Sequence, residues 1–185
     1  MEDEKIVELY WQREESALTE TADKYGRYCY TIAYNVLAEH REAEESVNDT
    51  WLDAWNSMPP HRLRILSTFL GKITRRISVD KWRRSHADKR GGGQLPVVLE
   101  ELEECVAPTY GVEQMVEKRL LEECVSAFIS GLPDAEQRVF LCRYWYMESV
   151  GTIARRFGFS ESKVKSMLYR TRERLREYLT KEGLQ

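Results

Sequence analysis

Apolar residues recur at intervals of three and four along most of this chain, a spacing that predicts helices. Glu4 to Arg13 and Ala17 to Leu37 read as the first two, and Leu18, Ala22, Tyr25, Cys29, Ile32, Ala33, Val36 and Leu37 form one inward face of the second. Tyr28, Tyr30 and Tyr34 fall partly off that stripe and are expected to be half-buried packing residues. Glu39-His40-Arg41 reads as a short connection. The next helix, Glu42 to Met58, carries Ala43, Val47, Thr50, Trp51, Ala54 and Met58 along one side. Pro59-Pro60 ends it, because neither residue can donate a backbone hydrogen bond and each restricts the residue before it. A basic loop from His61 to Ser67 leads into a helix over Thr68 to Ser85, with Phe69, Leu70, Ile73, Ile77 and Trp82 inward or interfacial.

Gly91-Gly92-Gly93 breaks the pattern, and through about Thr109 the chain is rich in Gly, Pro and Glu around one apolar patch, Leu95 to Leu99. That composition predicts an extended or partly helical linker. Helical spacing resumes from Val112 to Ser130, and a turn at Gly131-Leu132-Pro133-Asp134 opens a helix carrying Val139, Phe140, Cys142, Arg143 and Tyr144. With no repeat and no strand-like alternation, the fold class is all-α: two small helical domains, residues 1–90 and 112–185, joined by a flexible acidic linker over 91–111.

The stretch from Ser149 to Leu175 reads as a short helix, a tight turn and a longer helix. Gly158 suits the turn, and Ser160 is an N-cap whose hydroxyl can accept from an unpaired amide of the next helix. Val164, Leu168, Thr171, Leu175 and Leu179 make the stripe that turns inward. The other face presents Ser162, Lys163, Lys165, Ser166, Tyr169, Arg170 and Arg174, side chains able to reach phosphates and base edges in a major groove.

A net charge of −3 over 185 residues does not describe a simple DNA-coating protein. The charge is segregated, however. Arg62, Arg64, Lys72, Arg75, Arg76, Lys81, Arg83, Arg84, Lys89 and Arg90 form one basic block and Arg155 to Arg176 holds a second, with Glu100, Glu101, Glu103, Glu104, Glu113 and Glu117 between them. On the helix after His40, Glu45, Asn48, Asp49 and Asp53 form an acidic, hydrogen-bonding strip better suited to a protein partner than to phosphates. A basic helix ending at Trp82 combines phosphate attraction with a ring on which an unpaired base can stack.

The four cysteines are widely spaced with no CxxC pair, which predicts structural thiols in a reducing compartment rather than disulfides or a metal site. No apolar run approaches membrane-spanning length, so a cytoplasmic protein without a membrane span is expected. No clustered His/Cys/Asp set, phosphate-cradling loop or nucleophile elbow is present, so neither an enzyme nor a cofactor is expected.

Ala43-Glu44-Glu45-Ser46-Val47-Asn48-Asp49-Thr50-Trp51-Leu52-Asp53-Ala54-Trp55 resembles the region 2.2 motif of the extracytoplasmic-function group of bacterial sigma-70-type sigma factors. Phe69 to Arg84 is similar to that group's regions 2.3 and 2.4, and Gly131-Leu132-Pro133 with Ser160 to Arg172 is similar to its region 4. The resemblance covers nearly the whole chain in the correct order. It implies that Glu45, Asn48, Asp49, Trp51 and Asp53 bind the β′ clamp of core RNA polymerase, with the β subunit as a further partner. It implies that His61, Arg62, Arg64, Lys72, Arg75, Arg76, Lys81, Trp82 and Arg83 engage the promoter −10 element as melted strand. Ser162, Lys163, Lys165, Ser166, Tyr169, Arg170 and Arg174 would read the −35 element as duplex, with Arg170 and Lys165 foremost.

The chain departs from the family pattern in two places. Arg76 stands where the family often has Asn, and Val150-Gly151-Thr152 replaces its aromatic and acidic members. The function implied is a promoter-specificity subunit, with an anti-sigma factor as a further possible partner. The Glu-rich linker is expected to follow the polymerase's nucleic-acid channel or, in the free protein, to fold back onto a basic block. The alternative reading is a stand-alone helix-turn-helix regulator binding duplex DNA as a dimer, for which the acidic strip has no use.

Overall fold

The structure, a computed structural model, describes residues 1–59, 63, 65–85, 94–103, 105 and 114–184, with the side chains at 103 and 114–119 outside the description. Among the described residues there are nine helices: α1 (Asp3–Trp11), α2 (Ser16–Leu37), α3 (His40–Ser57), α4 (Leu66–Ser85), α5 (Leu95–Glu103), α6 (Gln114–Ser130), α7 (Asp134–Tyr144), α8 (Val150–Phe157) and α9 (Glu161–Lys181). The chain divides into two compact units, Met1–Gly93 and Gln94–Gln185. No described helix is long and apolar enough to cross a membrane.

In the first unit α2, α3 and α4 pack on one another and α1 lies against α2. The apolar stripes meet in a core of Ile6, Tyr10, Ala17, Cys29, Ala54, Met58, Leu66, Leu70 and Ile73. Each large apolar side chain so buried contributes about 1.5–3 kcal/mol against the entropy of ordering it. Polar groups inside are matched locally. Thr50 and Thr74 donate to the carbonyls of Ser46 and Leu70 at 2.7 and 2.9 Å, and their hydroxyl oxygens lie 3.1 Å apart across the α3/α4 contact. Gly71 lets α4 come close to α2, since a Cβ there would lie 2.5 Å from the Tyr28 hydroxyl.

The connection expected at residues 39–41 is already helix. Glu39 caps α3, its carboxylate accepting from the amides of Arg41 at 3.0 Å and Glu42 at 2.7 Å, so the helix starts at His40. Those two N–H bonds hold the Glu39 carboxyl below its ordinary value.

In the second unit α9 is the spine: α6, α7 and α8 all pack on it, and α8 also touches α7. Val139, Phe140, Ile153, Val164, Met167, Leu168, Leu175 and Leu179 are buried there. The partly helical stretch expected between the domains is located here. Residues 95–103 are helical, and Leu95 and Val98 are buried within the second unit rather than strung out between domains. α5 has an apolar side, and its Glu101 carboxylate meets Arg143 and Arg172. Residues 91–93, 104 and 106–111 of the expected linker lie outside the described residues.

Candidate nucleic-acid interface

The turn between α8 and α9 is built from local chemistry. Ser149 caps α8 by accepting from the Thr152 amide, Gly158 ends it at φ 65°, and Ser160 caps α9 by accepting from the Lys163 amide at 3.2 Å. Gly is the residue for which that left-handed conformation carries no Cβ clash. The expected stripe of Val164, Leu168, Thr171, Leu175 and Leu179 is buried, and Met167 joins it.

That packing turns Ser162, Lys163, Lys165, Ser166, Tyr169 and Arg170 outward, all exposed. Lys165, Ser166, Tyr169 and Arg170 line one shallow depression, with the Tyr169 ring more than half exposed. Two of the named cations are already engaged. The Lys163 ammonium lies 3.8 Å over the Phe159 ring, and Arg174 pairs with Glu136 on α7. Arg170 keeps its guanidinium at the surface, its Nε donating to the Ser166 carbonyl at 3.3 Å.

In the first unit the acidic strip and the basic helix turn out to be one surface. Glu45 and Asp49 flank Lys81 of α4, at 3.7 and 3.0 Å, and Asp53 pairs with Arg76. A strip drawn as partner-facing and a helix drawn as DNA-facing therefore share charges along their seam. Asn48 is exposed, while Trp51 is half-buried against the core. Leu52, absent from the sequence-based set, is 62% exposed on the same face as Asn48 and Asp49. An apolar residue out of phase with the buried stripe was the signal that could have found it.

Along α4, Lys72, Arg76 and Arg83 are exposed and lie at i, i+4 and i+11, one side of the helix. Arg75 is half-buried, and burial pulls its guanidinium down to about 10, still charged at neutral pH. Trp82 is half-buried near the helix end. His61, Arg62 and Arg64 lie outside the described residues; Leu63 between them packs on the core and Ile65 is exposed.

Behind the recognition helix lies a second charge cluster. Arg143 of α7 is 2% exposed, its Nε and Nη2 donating to the Glu101 carboxylate at 3.1 and 2.8 Å. Its Nη1 donates to the Gln94 side chain and the Glu148 carbonyl, both at 2.9 Å. The Tyr144 hydroxyl donates to Glu101 at 2.9 Å and accepts from Arg172 at 3.0 Å. Burial works to raise the Glu101 carboxyl, but the bonds and charge of Arg143, with Tyr144 and Arg172 behind them, hold it below its ordinary value. Glu148 is opposite: almost fully buried, its carboxyl is raised by burial despite Arg156 at 2.7 Å. Glu101 thus folds back onto basic residues, but onto Arg143 and Arg172 rather than onto Lys165 or Arg170.

Comparison with known proteins bears on both units. Residues 21–87 match the family model described as Sigma-70 region 2, and residues 122–175 match that for Sigma-70, region 4. The chain is 26% identical over 155 residues to the "ECF RNA polymerase sigma factor SigE" of Mycolicibacterium smegmatis, covering 83% of this chain and 58% of that protein. It is 24% identical over 178 residues to the "ECF RNA polymerase sigma factor SigW" of Bacillus subtilis, covering 95% of each. The chain therefore spans little more than half of the mycobacterial relative and nearly all of the other.

Proposed function

Because this chain belongs to the sigma-70 family, in its extracytoplasmic-function group, we propose that it binds core RNA polymerase and directs initiation at selected promoters. The observation that carries this reading is the pairing of two different surfaces on one chain. One unit presents an acidic helix knitted to a basic helix, and the other presents a cationic helix face on a helix-turn-helix.

In this reading the α3 face of Glu45, Asn48, Asp49 and Asp53, with Leu52 as its apolar centre, docks on the β′ clamp. The exposed cations of α4 follow the −10 strand while Trp82 receives a base. The α9 face reads the −35 duplex, Arg170 and Lys165 being the groups with freedom to do so. Bidentate Arg contacts to guanine specify sequence, whereas Lys contacts to phosphate position the protein. Neither unit requires high affinity alone, since attachment through the other raises the effective concentration at the DNA. An anti-sigma factor covering these same surfaces would hold the protein inactive.

Reconstituted transcription tests the proposal. Core polymerase supplemented with this chain is expected to start at a defined subset of promoters where core alone does not. A stand-alone repressor would bind duplex DNA without polymerase and support no initiation, and that result would reject the reading.

A further inference from the structure

The helix-turn-helix is held from outside itself. The region 4 match begins at residue 122, but two separate hydrogen-bond paths converge on the Glu101 carboxylate of α5. One path leads to α8. Glu101 accepts from the Nε and Nη2 of Arg143 at 3.1 and 2.8 Å, a two-pronged contact that fixes the plane of the guanidinium. The Nη1 of the same group donates at 2.9 Å to the carbonyl of Glu148, the residue before the Ser149 cap of α8, and the Glu148 carboxylate pairs at 2.7 Å with Arg156 of α8. The other path leads to α9: the Tyr144 hydroxyl donates to Glu101 at 2.9 Å and accepts from the Nη1 of Arg172 at 3.0 Å.

Both paths are buried. Arg143, Tyr144 and Glu148 are at most 5% exposed, so water does not readily replace a lost partner, and a buried cation without its carboxylate must shift or draw solvent in. Arg172 follows Lys165 by seven residues and Arg170 by two, which puts the hold on α9 within about 10 Å, along the helix axis, of the outward-facing side chains.

Reading a base and attracting a phosphate tolerate displacement differently. A bidentate guanidinium contact needs donor–acceptor distances of about 2.7–3.2 Å and is lost when its helix shifts by roughly 1 Å. Coulomb attraction falls only as the inverse of distance, so the same shift weakens an attraction across 5 Å by about a sixth. Loosening α9 therefore removes selectivity before it removes affinity.

We propose that Glu101 is a positioning residue for the DNA-reading face: from α5, outside the matched region 4, its carboxylate holds α8 and α9 so that Arg170 is aimed at its base. The proposal rests on the promoter-reading function above. It adds a control on −35 selectivity that touches no DNA.

Holoenzyme reconstituted with the full-length chain, bound to a promoter and to every single-base variant of its −35 element, tests this. Glu101→Gln keeps the shape of the side chain and removes its charge; it is expected to reduce preference at the position read by Arg170 about fivefold. Tyr144→Phe cuts only the path to α9, leaves the Arg143 pair in place, and should reduce preference at the same position two- to threefold. In the Glu101→Gln chain, Arg170→Ala should cost little further preference, because the contact it removes is already lost.

A loss of stability alone would lower occupancy of every variant by one factor, leave their ratios unchanged and leave Arg170→Ala its full effect. Unchanged ratios in Glu101→Gln would overturn the proposal, and if thermal unfolding shows that chain unfolded at the assay temperature, unchanged ratios in Tyr144→Phe would do so. A wild-type holoenzyme with no −35 preference would reject the promoter-reading function and this role with it. Wild-type preference kept intact in the variants would reject the role of Glu101 alone.

Discussion

Lys81 of α4 places its ammonium 3.0 Å from the carboxylate of Asp49 on α3, inside a surface that sequence alone divides between two partners. Glu45 stands on its other side at 3.7 Å, and the Lys81 side chain is only one-fifth exposed. A lysine so held has less to offer a phosphate than its neighbours Lys72 and Arg83, which project into solvent. Lys72→Ala or Arg83→Ala is therefore expected to reduce the salt slope of promoter binding by about 1, and Lys81→Ala by much less. Holoenzyme binding measured across a salt series checks this, and a full unit lost with Lys81→Ala would reassign that residue to DNA.

Substitutions on α9 should separate by the freedom of each side chain. Arg170→Ala is expected to cost about 1–3 kcal/mol on the preferred −35 sequence and to relax preference at one position. Lys165→Ala should weaken all sequences alike. Arg174 is committed to Glu136, so Arg174→Ala should change selectivity little. A binding assay over all single-base variants of the −35 element distinguishes the three outcomes.

Ser160 joins the turn to the reading helix, its hydroxyl accepting from the Lys163 amide. Ser160→Ala should destabilise the second unit by about 1 kcal/mol, and Ser160→Asp should largely restore it, since a carboxylate also caps and favours the positive helix end. Urea unfolding of the full chain, followed by a probe in the second unit, measures the difference.

Two carboxylates of the second unit, Glu101 and Glu148, should respond to acid in opposite senses. Glu101 has a folded-state pKa below its unfolded value of about 4.5, so its contribution is full above that value and is lost as pH falls through the lower folded one. Glu148 has its pKa raised, so its contribution is present below about 4.5 and is lost as pH rises through the raised value. Between pH 7 and pH 3, Glu101→Gln should flatten the acid loss of Tm relative to the wild type. Glu148→Gln should remove a cost that the wild type carries at neutral pH, net of its bridge to Arg156. Thermal unfolding of the three chains at stepped pH tests both signs, and parallel curves for wild type and Glu101→Gln would refute the first.

What the sequence determined by itself is what short-range physics controls. Helices α2, α4, α7 and α9 follow from apolar spacing, and the helix-turn-helix from Gly158 and Ser160, because a cap or a left-handed turn depends on residues within one helical turn. The outward set on α9 was legible for the same reason: once Val164, Leu168 and Leu175 turn inward, Lys165 and Arg170 must turn out.

Tertiary structure alone decided where charge is neutralised. Asp53 meets Arg76 and Asp49 meets Lys81 only because α3 packs beside α4, and the buried Arg143 finds its carboxylate in Glu101, forty-two positions earlier. Periodicity records which face of a helix is apolar, but it holds no information about which distant carboxylate will meet a cation on the other face. That pairing arises from the packing of whole helices, and it makes the segment that carries Glu101 part of the second unit.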